Sequence, residues 1–342
     1  MIMPEAHKAL SLYILAIESS CDDTGVAVIH QGRVISNCTH TQTVHSDYGG
    51  VVPELASRNH TVNIVPIVQR ALSEANISIS DISGIAFTAG PGLLGSLLVG
   101  VSFAKGLALA LDVPLVEVHH MHAHIMAHFA TENPPTFPFL CLTVSGGHTQ
   151  IVLVRDYDKM NVLGSTIDDA AGEALDKAGK MLGLAYPAGP IIDQLARNGK
   201  AKFTFPMPKV GDLDFSFSGL KTSFLYFLRD SVEQNPSFIE ENLNDLCASI
   251  QQAVINILMA KLESAVQKTG ITTVAIAGGV SANSLLRQSL TLKHDSAGWD
   301  VFIPPMSLCT DNAAMVGISG YYKYIKGEYC GLEVTPQPRM AF

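Results

Sequence analysis

Apolar and polar positions fall into short blocks from the start of the chain. Residues 12–18 form an apolar, β-prone run. Residues 19–25 carry turn chemistry, 26–29 are apolar again, and Gln31-Gly32 makes a tight turn before a third run at 33–38. That pattern predicts three strands joined by short turns. A helical pattern occupies 54–74. A strand (84–88), a glycine-rich turn (Ala89-Gly90-Pro91-Gly92), a helix (95–111), a short strand (114–118) and a histidine-rich helix (119–130) come next. Asn133-Pro134-Pro135 then breaks the chain.

The same order returns in the second half. Strands are predicted at 139–144, 149–154 and 161–165, with the turn Ser145-Gly146-Gly147-His148 between the first two. Helices follow, with an inserted helical segment at about 197–244. A long helix (245–269), a strand (273–277), the turn Gly278-Gly279, a helix (281–292), a strand (301–303) and a last helix (311–325) complete the chain. Both halves read β-β-β-α-β-α-β-α, so the unit is duplicated. We expect one lobe from 12–132 with 306–330, and a second from 137–305. Their pseudo-symmetric arrangement makes a central cleft the default site. The turns at 19–24 and 145–148 are expected to face each other across it. Glycine-rich turns of this kind offer backbone N–H groups to phosphate oxygens. The layout resembles the α/β fold of the actin, sugar kinase and heat-shock ATPase superfamily, which does not by itself assign a function.

Composition narrows the picture. Hydrophobic residues make up 47% of the 342 and charged residues 15%, enough apolar material for a large core and too little charge for disorder. No uninterrupted apolar run reaches the roughly 18 residues that span a bilayer. The run at 9–17 ends in Glu18 without a small-residue cleavage site, and reads as a first strand rather than a leader. Six scattered cysteines without a C-x-x-C pair fit reduced thiols in a cytoplasmic protein. A net charge of −9 argues against a broadly basic nucleic-acid surface. The exception lies between Arg197 and Arg229. There Arg197, Lys200, Lys202, Lys209, Lys221 and Arg229 face only Asp212 and Asp214, six basic residues against two acidic. A solvated loop is the plain reading of such a stretch.

Candidate chemistry centres on histidine. His119, His120, His122, His124 and His128 crowd one predicted helix of a chain with 12 histidines. Four residues separate His120 from His124, so both rings leave one helix face, as chelation requires. Asp311 opens the counterpart helix of the second half, and duplication would bring it to the pair. It also suits a helix N-cap. Two histidines and a carboxylate with open positions suit one divalent metal, Fe(II) or Zn(II). A zinc peptidase would need H-E-x-x-H, but the sequence is His120-Met121-His122-Ala123-His124. Gly90-Pro91-Gly92-Leu93-Leu94-Gly95 spells a dinucleotide fingerprint. It follows the fourth strand rather than the first, contains a proline, and has no match in the second half. Ser218-Gly219-Leu220-Lys221 and Lys268-Thr269-Gly270 mimic penicillin-binding motifs in the wrong order. Asp22 and Asp23 sit in the first hairpin turn, where an acid can position a metal, a water or a reacting group and is also ordinary turn chemistry.

Taken together, several stretches resemble one family, the universal tRNA threonylcarbamoyladenosine transferases in their bacterial form, TsaD. They are Ile17-Glu18-Ser19-Ser20-Cys21-Asp22-Asp23-Thr24, Asp47-Tyr48-Gly49-Gly50-Val51-Val52-Pro53-Glu54, Thr88-Ala89-Gly90-Pro91-Gly92-Leu93, His119-His120-Met121, Val144-Ser145-Gly146-Gly147-His148-Thr149, Asp168-Asp169-Ala170-Ala171-Gly172-Glu173, Asp214-Phe215-Ser216-Phe217-Ser218-Gly219-Leu220-Lys221-Thr222, Ala277-Gly278-Gly279-Val280-Ser281-Ala282-Asn283 and Cys309-Thr310-Asp311-Asn312. The resemblance runs from about residue 14 to 325. It implies transfer of a threonylcarbamoyl group from threonylcarbamoyl-AMP to N6 of adenosine 37 in tRNAs reading codons that begin with A. It assigns His120, His124 and Asp311 to a metal, with Fe(II) favoured. It assigns Thr143, Val144, Ser145, Gly146 and Gly147 to the donor's phosphate and acyl region, and Asp176, Gly189, Asp193 and Asn283 to its adenosine portion. Asp22 and Asp23 are the expected catalytic acids, with Asp22 receiving or orienting the amine proton. The resemblance further implies tRNA, a TsaB-like and a TsaE-like protein as partners, a TsaC-type enzyme as source of the donor, and no membrane. The stretch from Arg197 to Arg229 then becomes a candidate tRNA contact. An ATPase of the same fold and a non-catalytic scaffold are the alternatives. Two departures stand out: Asp23 where many relatives have glutamate, and Met121-His122-Ala123 where many have Met-Glu-Gly.

Overall fold

The computed structural model describes residues 12–208 and 210–342. Residues 9–11 of the predicted first strand, and Lys209 of the basic stretch, lie outside them. The chain divides into two compact units. One holds the described residues up to Pro134 together with Thr310–Phe342, and the other is Pro135–Cys309.

The first unit is built on a five-stranded sheet of β1 (Tyr13–Glu18), β2 (Asp23–His30), β3 (Arg33–Thr41), β4 (Gly84–Gly90) and β5 (Leu115–His119), in the order β3-β2-β1-β4-β5. β1 runs antiparallel to β2 and parallel to β4. A central strand covered on both faces loses its polar alternation. Accordingly β4 is buried throughout and β1 at every position but the first, whereas edge strand β3 alternates. The unit also contains α1 (Pro53–Ala75), α2 (Leu94–Leu111) and α3 (His120–Met126), followed by a 3-10 turn at Ala127–Ala130. The predicted helix 119–130 is thus shorter and tightens at its end, a common way to finish a helix. By length and composition alone α2 could cross a bilayer. Its Leu97, Gly100, Val101, Ala104 and Ala108 form one buried stripe, the pattern of a helix laid on a sheet.

The second unit repeats the topology with β6 (Phe139–Val144), β7 (Thr149–Asp156), β8 (Lys159–Ser165), β9 (Thr273–Ala277) and β10 (Asp300–Phe302), in the order β10-β9-β6-β7-β8. Central β6 is again wholly buried. Its helices are α4 (Ala171–Met181), α5 (Ala188–Ala196), α6 (Ser218–Gln234), α7 (Phe238–Thr269) and α8 (Ser284–Ala297). The segment expected to be helical at 197–244 is helical only in its second part. Residues 197–208 and 210–217 are irregular, and the Lys261 ammonium from α7 donates to the carbonyls of Val210, Gly211 and Asp212, which no regular element satisfies.

The last helix, α9 (Ala313–Ile325), returns to the first unit. Gly317 and Gly320 let it lie close on the first sheet, because a Cβ at either would collide with Ile29 or Ala86. Helix α9 starts later than predicted. Asn312, not Asp311, is its N-cap, with its side chain accepting from Met315 N at 3.0 Å.

Candidate metal centre and donor site

His120 and His124 stand on successive turns of α3 and are nearly closed off, at 8% and 1% exposure. α3 begins where β5 ends, and the His119 ring caps it by accepting from Met121 N and His122 N. Asp311 stands just before α9, and the docking of α9 on the same sheet brings its carboxylate to the pair. Asp311 Oδ1 lies 3.1 Å from His124 Nε2 and 3.5 Å from His120 Nε2. The two rings are near perpendicular, with centroids 4.7 Å apart. One potential ligand atom from each residue lies within 4.8 Å of the others. Among the described residues, His124 Nδ1 is buried without a hydrogen-bond partner. Two imidazoles and one carboxylate converging in this way can hold a divalent metal. Burial disfavours a charged His120 ring, but Asp311 and Glu18 on its two sides outweigh it, so its pKa lies well above the ordinary value. Burial likewise opposes ionisation of Asp311, and the two histidines overcome it, so its pKa is depressed. His122 does not join this group. It stacks on His119 at 4.5 Å and meets the edge of Phe342, and burial, aided by Lys323, lowers its pKa to about 4.

The turn after β1 is tightly held. Glu18, wholly buried, accepts from Ser20 N at 2.6 Å, Thr88 Oγ1 at 2.5 Å and His120 Nδ1 at 3.2 Å. Ser20 Oγ also lies 3.2 Å from His120 Nδ1. The Cys21 carbonyl lies 2.9 Å from His60 Nε2 and 3.0 Å from Ser96 Oγ. A carbonyl only accepts, so Nε2 of His60 carries the proton and its Nδ1, 2.8 Å from Thr24 Oγ1, accepts from the hydroxyl. Burial keeps that ring neutral by lowering its pKa. Gly92 backs onto this turn, where a Cβ would stand 2.5 Å from the Ser20 carbonyl oxygen. The glycines of the apparent dinucleotide fingerprint therefore serve close packing. Asp22 and Asp23 are half-buried in the turn. Burial raises Asp23 to about 7 against hydrogen bonding from Thr41, with Asp311 and Asp22 adding to the rise, and its Oδ1 has no partner.

The residues expected to bind the donor all lie in the second unit. Thr143 and Val144 are buried sheet side chains, so they offer a ligand only backbone. Ser145 N donates to the His148 carbonyl, and Ser145 Oγ accepts from His148 N, which closes the turn. Gly146 and Gly147 are exposed, with nothing within 4 Å of where a Cβ would stand. The remaining four fall into two neighbourhoods. Asp176 accepts from Ala188 N at 2.8 Å and Gly189 N at 3.3 Å, and burial raises its pKa. Asp193 accepts from Ser284 N and Oγ, while Asn283 caps α8 and donates to Gln251 Oε1 at 3.0 Å.

In the basic stretch most charges are neutralised. Arg197 pairs with Asp193, Lys202 with Asp245, Lys221 with Asp169 and Arg229 with Asp230.

Reasoning from the sequence did not single out Glu18, His60, Ser96 or Gln251. Only Glu18 carried a signal, as a lone acid closing an apolar strand.

Site and fold together define a two-lobed α/β protein of the actin-like class with a His-His-Asp group that could hold a metal. Solved structures agree on the fold. HypF from T. kodakarensis superposes with a TM-score of 0.61 at 15% identity, covering 93% of this chain and 50% of that one. Component A of the (R)-2-hydroxyglutaryl-CoA dehydratase of Acidaminococcus fermentans gives 0.54 at 14%, covering 92% and 100%. Sequence relatives are far more similar. The tRNA N6-adenosine threonylcarbamoyltransferase of Christiangramia forsetii is 59% identical over 96% of this chain and 98% of its own length. That of Riemerella anatipestifer is 56% identical over 95% and 97%. The family model for TsaD, tRNA N6-adenosine threonylcarbamoyltransferase, matches residues 33–318. The chain belongs to the TsaD family.

Proposed function

We propose that this protein transfers the threonylcarbamoyl group of threonylcarbamoyl-AMP to N6 of adenosine 37 in tRNAs reading codons that begin with A, and that it works in the cytoplasm. The observation that carries this reading is family membership, with a relative 59% identical across nearly the whole chain. The converging His120, His124 and Asp311 support it, because a non-catalytic scaffold has no use for that group.

In the reaction, N6 attacks the carbamoyl carbon, the bond from that carbon to the phosphate oxygen breaks, AMP leaves, and N6 loses a proton. The donor is a mixed anhydride with a good leaving group. The adenine amine is a poor nucleophile because its lone pair is delocalised, so alignment is the main demand. Gly146 and Gly147, with the backbone of Thr143, Val144 and Ser145, receive the donor's phosphate and acyl region. Asp176, Gly189, Asp193 and Asn283 receive its adenosine portion. His120, His124 and Asp311 would hold a divalent cation, Fe(II) or alternatively Zn(II), which would supply Lewis acidity to the site. Of the two turn acids, Asp23 suits the proton better. Its pKa of about 7 and unpartnered oxygen fit a base working at neutral pH. Asp22 orients the amine. TsaB-like and TsaE-like proteins assist, and they present the tRNA to an otherwise acidic chain.

The test is nucleoside mass spectrometry of tRNA incubated with donor, with and without chelator. The modified nucleoside should appear only with enzyme and metal. ATP turnover without tRNA or donor, and no modified nucleoside, would overturn the reading in favour of an ATPase.

A further inference from the structure

We infer that Glu18 is the positioning residue of the metal centre, fixing His120 so that its Nδ1 bears the proton and its Nε2 lone pair faces the cation. The inference rests on the metal reading above.

His120 lies between two carboxylates. Asp311 is on its Nε2 side at 3.5 Å and Glu18 on its Nδ1 side at 3.2 Å. Only the Asp311 side adjoins His124, so the metal belongs there and Nδ1 is left to donate. A ligating histidine that donates its other N–H to a carboxylate is held in one tautomer and one ring orientation. Glu18 is wholly buried at the end of β1. Three donors reach its two oxygens: Ser20 N on Oε1, and Thr88 Oγ1 and His120 Nδ1 on Oε2. The Ser20 N–H is a fixed donor, and the His120 donor reverses only if its proton moves to Nε2.

That donor set explains why the position needs a carboxylate and not merely a polar residue of its size. An amide has one accepting oxygen. In Glu18→Gln, an NH2 placed on the Oε1 side meets Ser20 N–H head on. Placed on the Oε2 side it meets His120 Nδ1–H, or drives the proton to Nε2, where it blocks ligation. Each arrangement sets donor against donor in a buried site. A near-isosteric change therefore disturbs the metal rather than the shape.

Two measurements test this. Zn(II) affinity is read by competition with a chromophoric chelator for wild type, Glu18→Gln and His124→Ala. Glu18→Gln should bind roughly ten- to hundredfold more weakly than wild type. Long-range proton–nitrogen spectra of the Zn(II)-loaded wild type should show His120 protonated at Nδ1 and ligating through Nε2. Equal affinity of Glu18→Gln and wild type, or ligation through Nδ1, would overturn the inference. The wild-type spectrum decides alone if Glu18→Gln does not fold. Failure of the metal reading has a separate signature: wild type and His124→Ala would bind Zn(II) equally weakly, and the assignment of Glu18 would fall with it.

Discussion

The turn after β1 and the turn after β6 occupy the same place in two sheets of the same strand order, yet they are built in opposite ways. The first is packed with buried polar groups that satisfy one another: Glu18, Ser20, Thr24, His60 and Ser96. The second, Ser145-Gly146-Gly147-His148, leaves two exposed glycines with nothing within 4 Å of where a Cβ would stand. A buried carboxylate or imidazole is tolerable only with a full set of partners, so the first turn is preorganised before any ligand arrives. A bare glycine turn makes no such demand and admits an anion to its backbone. Duplication supplied one scaffold, and the proposed function gives metal positioning to one copy and donor binding to the other.

Replacing a metal ligand should break the first turn's role most severely. Asp311→Ala or His124→Ala should lower Zn(II) or Fe(II) affinity by more than about a hundredfold, read by chelator competition, and abolish transfer. Glycines sharpen the comparison next. Gly92→Ala would press a Cβ on the Ser20 carbonyl and should destabilise the fold by about 1–3 kcal/mol in denaturant titration. Gly147→Ala should leave stability within about 0.5 kcal/mol while weakening donor binding, because only a ligand meets the added methyl. His60→Leu removes the partner of Thr24 and one of two on the Cys21 carbonyl, at a cost of about 1–3 kcal/mol.

Asp23 gives a pH signature. Its folded pKa of about 7 exceeds the ordinary 3.8, so between these values the native state keeps a proton that the unfolded chain has released. Stability from this group is complete below the unfolded pKa and is lost as pH rises through about 7. Asp23→Asn should therefore match wild type near pH 4 and gain relative stability up to pH 8, measured by denaturant titration with chelator present. Single-turnover transfer at wild-type rate by Asp23→Ala would remove it as the base, and the same result for Asp22→Ala would remove that residue's orienting role.

The smallest effect is expected in the basic stretch. Lys200→Glu should reduce the salt slope of tRNA binding by about one. Lys202→Glu should do less, because Lys202 is already paired with Asp245.

Strand runs and glycine turns made the duplicated α/β plan legible, because central strands lose alternation and turns need particular residues. The four-residue step from His120 to His124 is a property of any helix, so the paired histidines were legible as well. Element ends were less so. The sequence allowed Asp311 as a cap, but Asn312 took that role, and the carbonyls of Val210, Gly211 and Asp212 are satisfied by Lys261 rather than in a helix. Local chemistry, then, set the strands, the turns and two of the three converging side chains. Tertiary structure alone decided that α9 docks on the first sheet through Gly317 and Gly320, bringing Asp311 to the histidines. It alone placed Glu18 behind His120, 102 residues away in the chain. The physical reason is that helix spacing is fixed by the backbone, whereas partners that distant meet only when packing of the whole unit brings them together.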